Sequence, residues 1–349
     1  MADASPGRAG RHYDLNGLRL TVDAELPPLA GFLDFVLAPF AVANRSAGDF
    51  TITVETGDCP TAAPAGEMQW EGLLPERLES VLVRSGDNRT LHVPPYYQAT
   101  SERSRRRARV VVGEGGGRWL SGTLAFWLLD EMLIGAGRHL LHAACLARPA
   151  GGDALLIFAA SGTGKTTTAL ALARNGYALV GDDVAVLEFR DGSPWVWGLP
   201  RPVNLHRRTA AMLPWLAPVV GPWAEAAEQR VELDALAAYV ARAPADARLC
   251  AGVVLLQAPG EGEHRALPLA KADALVQAAT DNVRLAPGGL DEDGGQLFDA
   301  LAQLVAAVPA VSLRAGPDPA SLNPALLEGA GLGAAMPGAS RSGGAKSRA

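Results

Sequence analysis

Between Ala159 and Asp183 the chain reads AASGTGKTTTALALARNGYALVGDD. Its front half, Ala159-Ala160-Ser161-Gly162-Thr163-Gly164-Lys165-Thr166, fits the phosphate-binding loop pattern with Ala in the first Gly position. The residue types suit that chemistry. Glycines let backbone N–H groups turn inward and approach phosphate oxygens, and the N-terminus of a following helix adds partial positive charge. In such a loop Ala160, Ser161, Gly162, Thr163, Gly164 and Thr167 would surround a nucleotide. Lys165 would reach the β- and γ-phosphates of ATP, and the Thr166 hydroxyl would ligate Mg²⁺. An ordinary Gly-rich turn before a helix is the plain alternative.

Asp182 and Asp183 stand at the end of an apolar run, one helix downstream of the loop. Two carboxylates there suit metal binding and proton abstraction, although an Asp pair can also simply open a turn. His142 lies upstream in Leu140–Leu146, within reach of the loop if the two runs are neighbours. A lone His on an apolar strand is also a common structural residue. Arg201, between Pro200 and Pro202, could stabilise charge on a transferring phosphate or lie on the surface. His206, Arg207 and Arg208 could face an acidic substrate or water.

These residues need elements to hold them. Ala154–Phe158 is an unbroken apolar run and predicts a buried strand. Thr167–Arg174 predicts a helix stopped by Asn175-Gly176, and Tyr177–Val180 the next strand. That strand–loop–helix setting is what the motif requires. Upstream, Trp119–Arg138 predicts a helix and Leu140–Leu146 a strand. Only Pro149-Ala150-Gly151-Gly152-Asp153 separates this strand from the next. So short a link cannot make a crossover, which predicts an antiparallel hairpin.

Taken together, Leu141-His142-Ala143-Ala144 before a hairpin, Ser161–Thr166, a helix ending in Asn175-Gly176-Tyr177, and Leu179-Val180-Gly181-Asp182-Asp183-Val184 resemble the catalytic domain of HPr kinase/phosphorylase and its relatives. The 18 positions from Lys165 to Asp183 are also similar to that family's. The resemblance covers roughly residues 138–190, with a vaguer echo to about 310. It implies a P-loop fold related to ATP-dependent phosphoenolpyruvate carboxykinase, Mg-ATP as donor, a serine hydroxyl on a protein or peptide as acceptor, and a homo-oligomer. Carried over by residue, Asp183 would accept the proton, Asp182 and His142 would flank and orient it, and Lys165 would bind phosphate. Thr166, with Asp182, would hold metal.

The family's second signature, Glu-Ile-Arg-Gly-x-Gly, has no counterpart. The nearest stretch is Trp195–Pro202, which lacks the metal-binding Glu and the Arg-Gly used in phosphorolysis. Thr167 stands where the family has a Glu. The expectation is therefore a serine kinase without phosphorylase activity. Its acceptor would be a small carrier protein or precursor peptide rather than HPr, as in relatives found beside lasso-peptide or carrier biosynthesis. Pro200-Arg201-Pro202 resembles what those relatives carry. Two other classes fit the same residues: a nucleotide-binding regulatory module without transfer, and a small-molecule or carboxykinase-like enzyme.

The rest of the chain sets bounds. Its 349 residues are 48% hydrophobic and 19% charged, which is globular rather than disordered, and the pattern of its elements is α/β. The 31 lysines and arginines are outnumbered by 37 aspartates and glutamates, so nothing global draws the chain to nucleic acid or an anionic membrane. Cys59, Cys145 and Cys250 are too few and too scattered for a disulfide framework or metal cluster, which suits a cytoplasmic protein. Neither Pro27–Ala43 nor Leu120–Ala136 is apolar for the ~20 residues a spanning helix needs.

The predicted order is a disordered start (1–11), a β-rich unit (12–112), a P-loop kinase domain (113–328) and a disordered Gly/Ala/Ser-rich tail (329–349). Strands are expected at Leu18–Val22, Phe50–Val54, Val81–Val83 and Thr90–Val93. Glu102–Arg109, with five arginines, reads as a solvated loop or strand edge, or else a docking patch for an acidic partner. Tyr96-Tyr97 reads as packing. Beyond residue 210, helices are expected at Ala224–Arg242, Lys271–Val283 and Gln296–Ala307, and strands at Gly252–Leu256 and Val311–Leu313. Leu297, Leu301 and Leu304 form a core stripe.

Overall fold

Short β-branched runs punctuated by turn residues build the N-terminal part of the molecule. The computed structural model describes residues 9–43, 48–148, 152–223, 228–283 and 292–332. Eight strands come first: β1 (Ala9–Leu15), β2 (Leu18–Ala24), β3 (Phe50–Thr56), β4 (Glu67–Leu73), β5 (Glu79–Ser85), β6 (Asn88–Val93), β7 (Tyr97–Glu102) and β8 (Arg107–Val112). They form one sheet in the order β1-β2-β3-β8-β7-β6-β5-β4. On β3 the alternation is clean, with Phe50, Ile52 and Val54 buried. The expected four strands are present, and Tyr97 is packed as expected.

Two expectations fail here. The first strand begins at Ala9, so Ala9–Arg11 are ordered into the ladder with β2; residues 1–8 lie outside the described ones. Glu102–Arg109 is a solvated loop only at its middle, where Arg103–Arg106 make the turn between two strands, and it is not a sheet edge. It ends β7 and starts β8, which is paired on both sides, to β3 and β7. Arg107 and Arg109 are neutralised locally by Glu102 and Glu55. Arg103 turns inward to Glu131 and Asp293, 2.9 and 2.5 Å away.

The helix expected over Trp119–Arg138 is shorter. Gly122 breaks its front at φ −110, ψ −130, and Gly137 at φ 69 ends the turn behind it. What remains is α1 (Ala125–Ile134), which buries Leu128, Leu129, Met132 and Leu133. This apolar cluster is shared between the first sheet and the second half of the chain, where it takes in Val186, Trp197 and Leu199.

The expected strand Leu140–Leu146 is two strands, β9 (Arg138–Leu141) and β10 (Ala144–Ala147), parted at His142-Ala143. After them come β11 (Ala154–Phe158), α2 (Lys165–Arg174), β12 (Ala178–Gly181), β13 (Ala185–Arg190), β14 (Ser193–Gly198), β15 (Val203–His206) and α3 (Arg207–Met212). Next are β16 (Glu228–Val231), β17 (Ala241–Arg242), β18 (Arg248–Gln257), β19 (Arg265–Pro268), α4 (Lys271–Asn282), α5 (Glu292–Ala307) and β20 (Ala310–Arg314). The helix expected over Ala224–Arg242 is instead β16, a short helical turn at Leu233–Leu236 and β17; residues 224–227 are outside the described ones. Gln229 pairs with Leu205 across an antiparallel ribbon, and this tertiary pairing overrides a helix-favouring composition.

Apart from the β15-β16 ribbon, the strands of this half join in a mixed parallel and antiparallel array. One run follows β17-β12-β10-β11-β18-β20-β19, and a second follows β18-β14-β13-β9. The expected hairpin is present, with β10 antiparallel to β11, although residues 149–151 of its turn lie outside the described ones. β11 then runs parallel to β18. Both faces of this array are covered, which is why its strands read as continuous apolar runs. On β11, Leu155 and Ile157 face the α2 side, and Ala154, Leu156 and Phe158 face the α4 and α5 side. Leu301 and Leu304 of α5 are fully buried in that second layer, with Leu297 packed against it.

The chain is thus mixed α/β. No helix among the described residues is long and apolar enough to cross a membrane. The tail expected from Gly329 does not begin there, because Ala330 and Leu332 are buried in the α2-side core; residues 333–349 lie outside the described ones.

Candidate active site

The loop from Ala159 to Gly164 leaves the end of β11 and feeds directly into α2. Gly162 and Gly164 stand at φ 77 and 103, a backbone region that favours glycine. Thr163 N–H closes the turn on the Ala160 carbonyl at 3.0 Å, and Thr168 N–H opens the helix on Gly164 at 2.9 Å. The N-terminus of this ten-residue helix therefore faces the open side of the loop.

The sequence-separated residues converge there. Lys165 is only 7% exposed. Its Nζ lies 3.0 Å from Asp183 Oδ1 and 2.9 Å from His142 Nε2. His142 Nδ1 in turn lies 3.2 Å from Asp183 Oδ1. Arg201 Nη1 approaches the other Asp183 oxygen at 3.5 Å, and its guanidinium lies over the Phe126 ring. Asp183 itself holds φ 72, which swings its side chain back toward the loop rather than onward along β13.

Asp182 points the other way, into the protein. It is 3% exposed, and its Oδ2 accepts from the Thr166 hydroxyl at 2.8 Å. Its Oδ1 is buried with no partner among the described residues. An unmatched buried carboxylate oxygen beside a hydroxyl is a hard-cation donor set left open on one side, and Mg²⁺ fits it. Among the described residues no three His, Cys, Asp or Glu are placed to hold a metal ion by themselves. A cation held here would therefore complete its shell from water or phosphate.

The two carboxylates titrate apart. Burial pushes the Asp182 carboxyl up to about 6, against the Thr166 hydrogen bond. Burial also pushes Asp183 upward, but the charge and hydrogen bond of Lys165, with His142 and Arg201, outweigh it and hold this carboxyl below its ordinary value. Burial, then the Lys165 charge, keep His142 below the usual histidine range. One acid is poised near neutrality and its neighbour is held ionised, a pattern that marks acid–base sites.

These residues line a cleft of about 560 Å³. Ala160, Ser161, Gly162, Thr163, Gly164, Lys165 and Thr166 are all in its wall. So are Thr167, His142, Asp182, Asp183 and Arg201. Thr167 is 5% exposed and its hydroxyl bonds Thr209 at 2.9 Å, so it anchors α2 to α3. His206 meets Glu228 at 2.9 Å, and Arg207 reaches the Trp223 carbonyl.

The sequence reading missed part of the wall: Asn204, Met212, Pro259 and Pro317. They come from distant segments and belong to no spacing that could have marked them. A second hollow of about 650 Å³ holds His264 and Ser321, 3.0 Å apart. His264 Nδ1 accepts from Gly316 N–H, so the proton sits on Nε2 and faces the hydroxyl. That pair has no base to activate the serine.

No protein-family model matches this chain, and no curated protein matches it.

Proposed function

We propose that this chain is a P-loop kinase of the HPr kinase/phosphoenolpyruvate carboxykinase type. It would move the γ-phosphate of Mg-ATP to a serine hydroxyl on a small carrier protein or precursor peptide. The observation that carries the reading is the 3.0 Å contact between Lys165 Nζ and Asp183 Oδ1 at the mouth of the glycine loop. A phosphate-seeking cation and a carboxylate able to take a proton meet at the same point.

In this reading the loop amides and the N-terminus of α2 bind the phosphates. Lys165 turns from Asp183 to the β- and γ-oxygens. Losing that cation makes the Asp183 carboxylate a stronger base when the acceptor hydroxyl arrives. Asp183 takes the hydroxyl proton as the oxygen attacks phosphorus in line, and ADP leaves. His142, held neutral by its surroundings, orients the Asp183 carboxylate through its ring nitrogen. Arg201 steadies charge on the transferring group. Thr166 and Asp182 would hold Mg²⁺, which supplies neutralisation of the phosphate charge. Pro259 and Pro317 add apolar surface to the cleft wall, which suits a nucleotide base.

The test is incubation with γ-labelled ATP and the small proteins encoded beside this gene, followed by mass mapping. A phosphoserine on one of them supports the reading. ATP binding with no product would favour a regulatory module, and ADP formation dependent on a metabolite alone would favour a small-molecule enzyme.

A further inference from the structure

His142 occupies an awkward place in the backbone. Its strand β9 pairs with β13 up to Leu141, and β10 begins its ladder with β11 only at Ala144. In between, Ala143 N–H turns back to the Leu141 carbonyl. The His142 N–H is left without a backbone acceptor, in a place where an unmade hydrogen bond is costly. It is met from outside the sheet. Asn282, the last residue of α4, accepts it on Oδ1 at 2.6 Å. The amide's other end, Nδ2, donates to the Ala278 carbonyl at 2.8 Å, one turn back, and so fixes which atom faces His142. Behind it, Ala274 and Ala278 are fully buried in the core that also holds β11 and β18.

We infer that Asn282 is a positioning residue for the proposed phosphoryl transfer: its side-chain amide pins the His142 backbone and thereby sets where the imidazole stands against Lys165 and Asp183. The assignment rests on the kinase reading. His142 sits where the chain passes from one strand path to another, so its own ladder does not hold it. Misplacement of a positioned group by about 1 Å can cost on the order of a hundredfold in rate. Asn282 is itself part of neither the loop nor the cleft wall and meets the wall only through the His142 backbone, so it should leave nucleotide binding alone.

The test compares wild type, Asn282→Ala and Asn282→Asp in the full chain. Aspartate keeps an oxygen at the position of Oδ1, but replaces the Nδ2 donor to the Ala278 carbonyl with a second oxygen and adds a negative charge. ADP formation from Mg-ATP is followed with an acceptor or with water alone, and Mg-ATP affinity by calorimetry. Exchange of the His142 amide is followed by NMR. Asn282→Ala should lower kcat about tenfold or more, leave the KM for ATP within about twofold, and speed exchange at His142. Asn282→Asp should recover most of the rate and the protection. Equal kcat in Asn282→Ala and wild type overturns the assignment alone. So does an Asp variant that keeps the His142 amide protected yet is as slow as the Ala variant, since the backbone would then be pinned without the rate. A wild-type protein that forms no ADP overturns the kinase reading and this assignment with it.

Discussion

Lys165 Nζ lies 3.0 Å from Asp183 Oδ1, although 18 residues separate them along the chain. The contact ties the start of α2 to the end of the Gly181-Asp182-Asp183 corner. It makes the carboxylate proposed as base and the site's most buried cation each other's partner.

Asp183→Asn should keep the shape of this contact and remove the proton acceptor. Phosphate transfer should fall by about 10²–10⁴-fold, the usual range for a general base. Mg-ATP affinity should hold within about twofold by calorimetry. Wild-type turnover in this variant would remove Asp183 from the role.

Lys165→Ala should act on binding first. A charge-assisted hydrogen bond to phosphate is worth roughly 1.5–3 kcal/mol, so affinity for Mg-ATP should drop by about ten- to a hundredfold. The same calorimetric titration checks it, and undiminished affinity would mean that the loop does not hold the triphosphate.

Stability should carry the signature of Asp182. Its folded pKa, about 6, lies above the ordinary value of 3.8. The folded state therefore binds the proton more tightly than the unfolded one. The associated stabilisation is full below about pH 4 and is lost as pH rises to about 6, a change of roughly 3 kcal/mol. Chemical denaturation across that window should show wild type losing ground to Asp182→Asn as pH rises. Parallel curves for the two proteins would rule the linkage out.

Gly198→Ala should disturb the same corner from behind. A Cβ there would stand 2.6 Å from Gly181 N and 2.7 Å from Gly181 Cα, and backbone cannot step aside as a flexible side chain can. Overpacking of this kind costs about 1–3 kcal/mol. The melting temperature should fall, and transfer should fall with it because Gly181 leads directly into Asp182.

Glu131→Ala tests the join between the two halves of the molecule. Glu131 is fully buried and meets Arg89 at 2.7 Å and Arg103 at 2.9 Å. Removing it leaves two largely buried guanidinium groups sharing the Asp293 carboxylate, with Gln69 left on Arg89, at a cost of about 3–5 kcal/mol. Urea unfolding should report that loss.

The chemistry-bearing stretch was legible because it is local. Ala154–Phe158, Gly162–Thr166 and Asp182-Asp183 announce strand, turn and acid pair within thirty residues, and these elements are present. His142 was legible only through its link to β11, which forced a hairpin. What the sequence could not show was set by long-range pairing. Leu140–Leu146 reads as one strand, because nothing in Leu-His-Ala-Ala says that the chain exchanges partners at His142. Glu228–Val231 reads as helix until Val203–His206 is seen beside it. Arg103 reads as one of five surface arginines until Glu131 and Asp293, from distant segments, are found around it. Asn282 carries no motif at all.

Asp183 keeps its backbone at φ 72. Few side chains tolerate that pose: asparagine, aspartate and glycine do so readily, while branched or longer ones resist it. A glutamate could carry the same charge but would ask the corner to be rebuilt around it. The geometry therefore narrows the evolutionary alphabet at this position almost as tightly as the chemistry does, and a lineage that abandons the reaction should drift here first to asparagine or glycine.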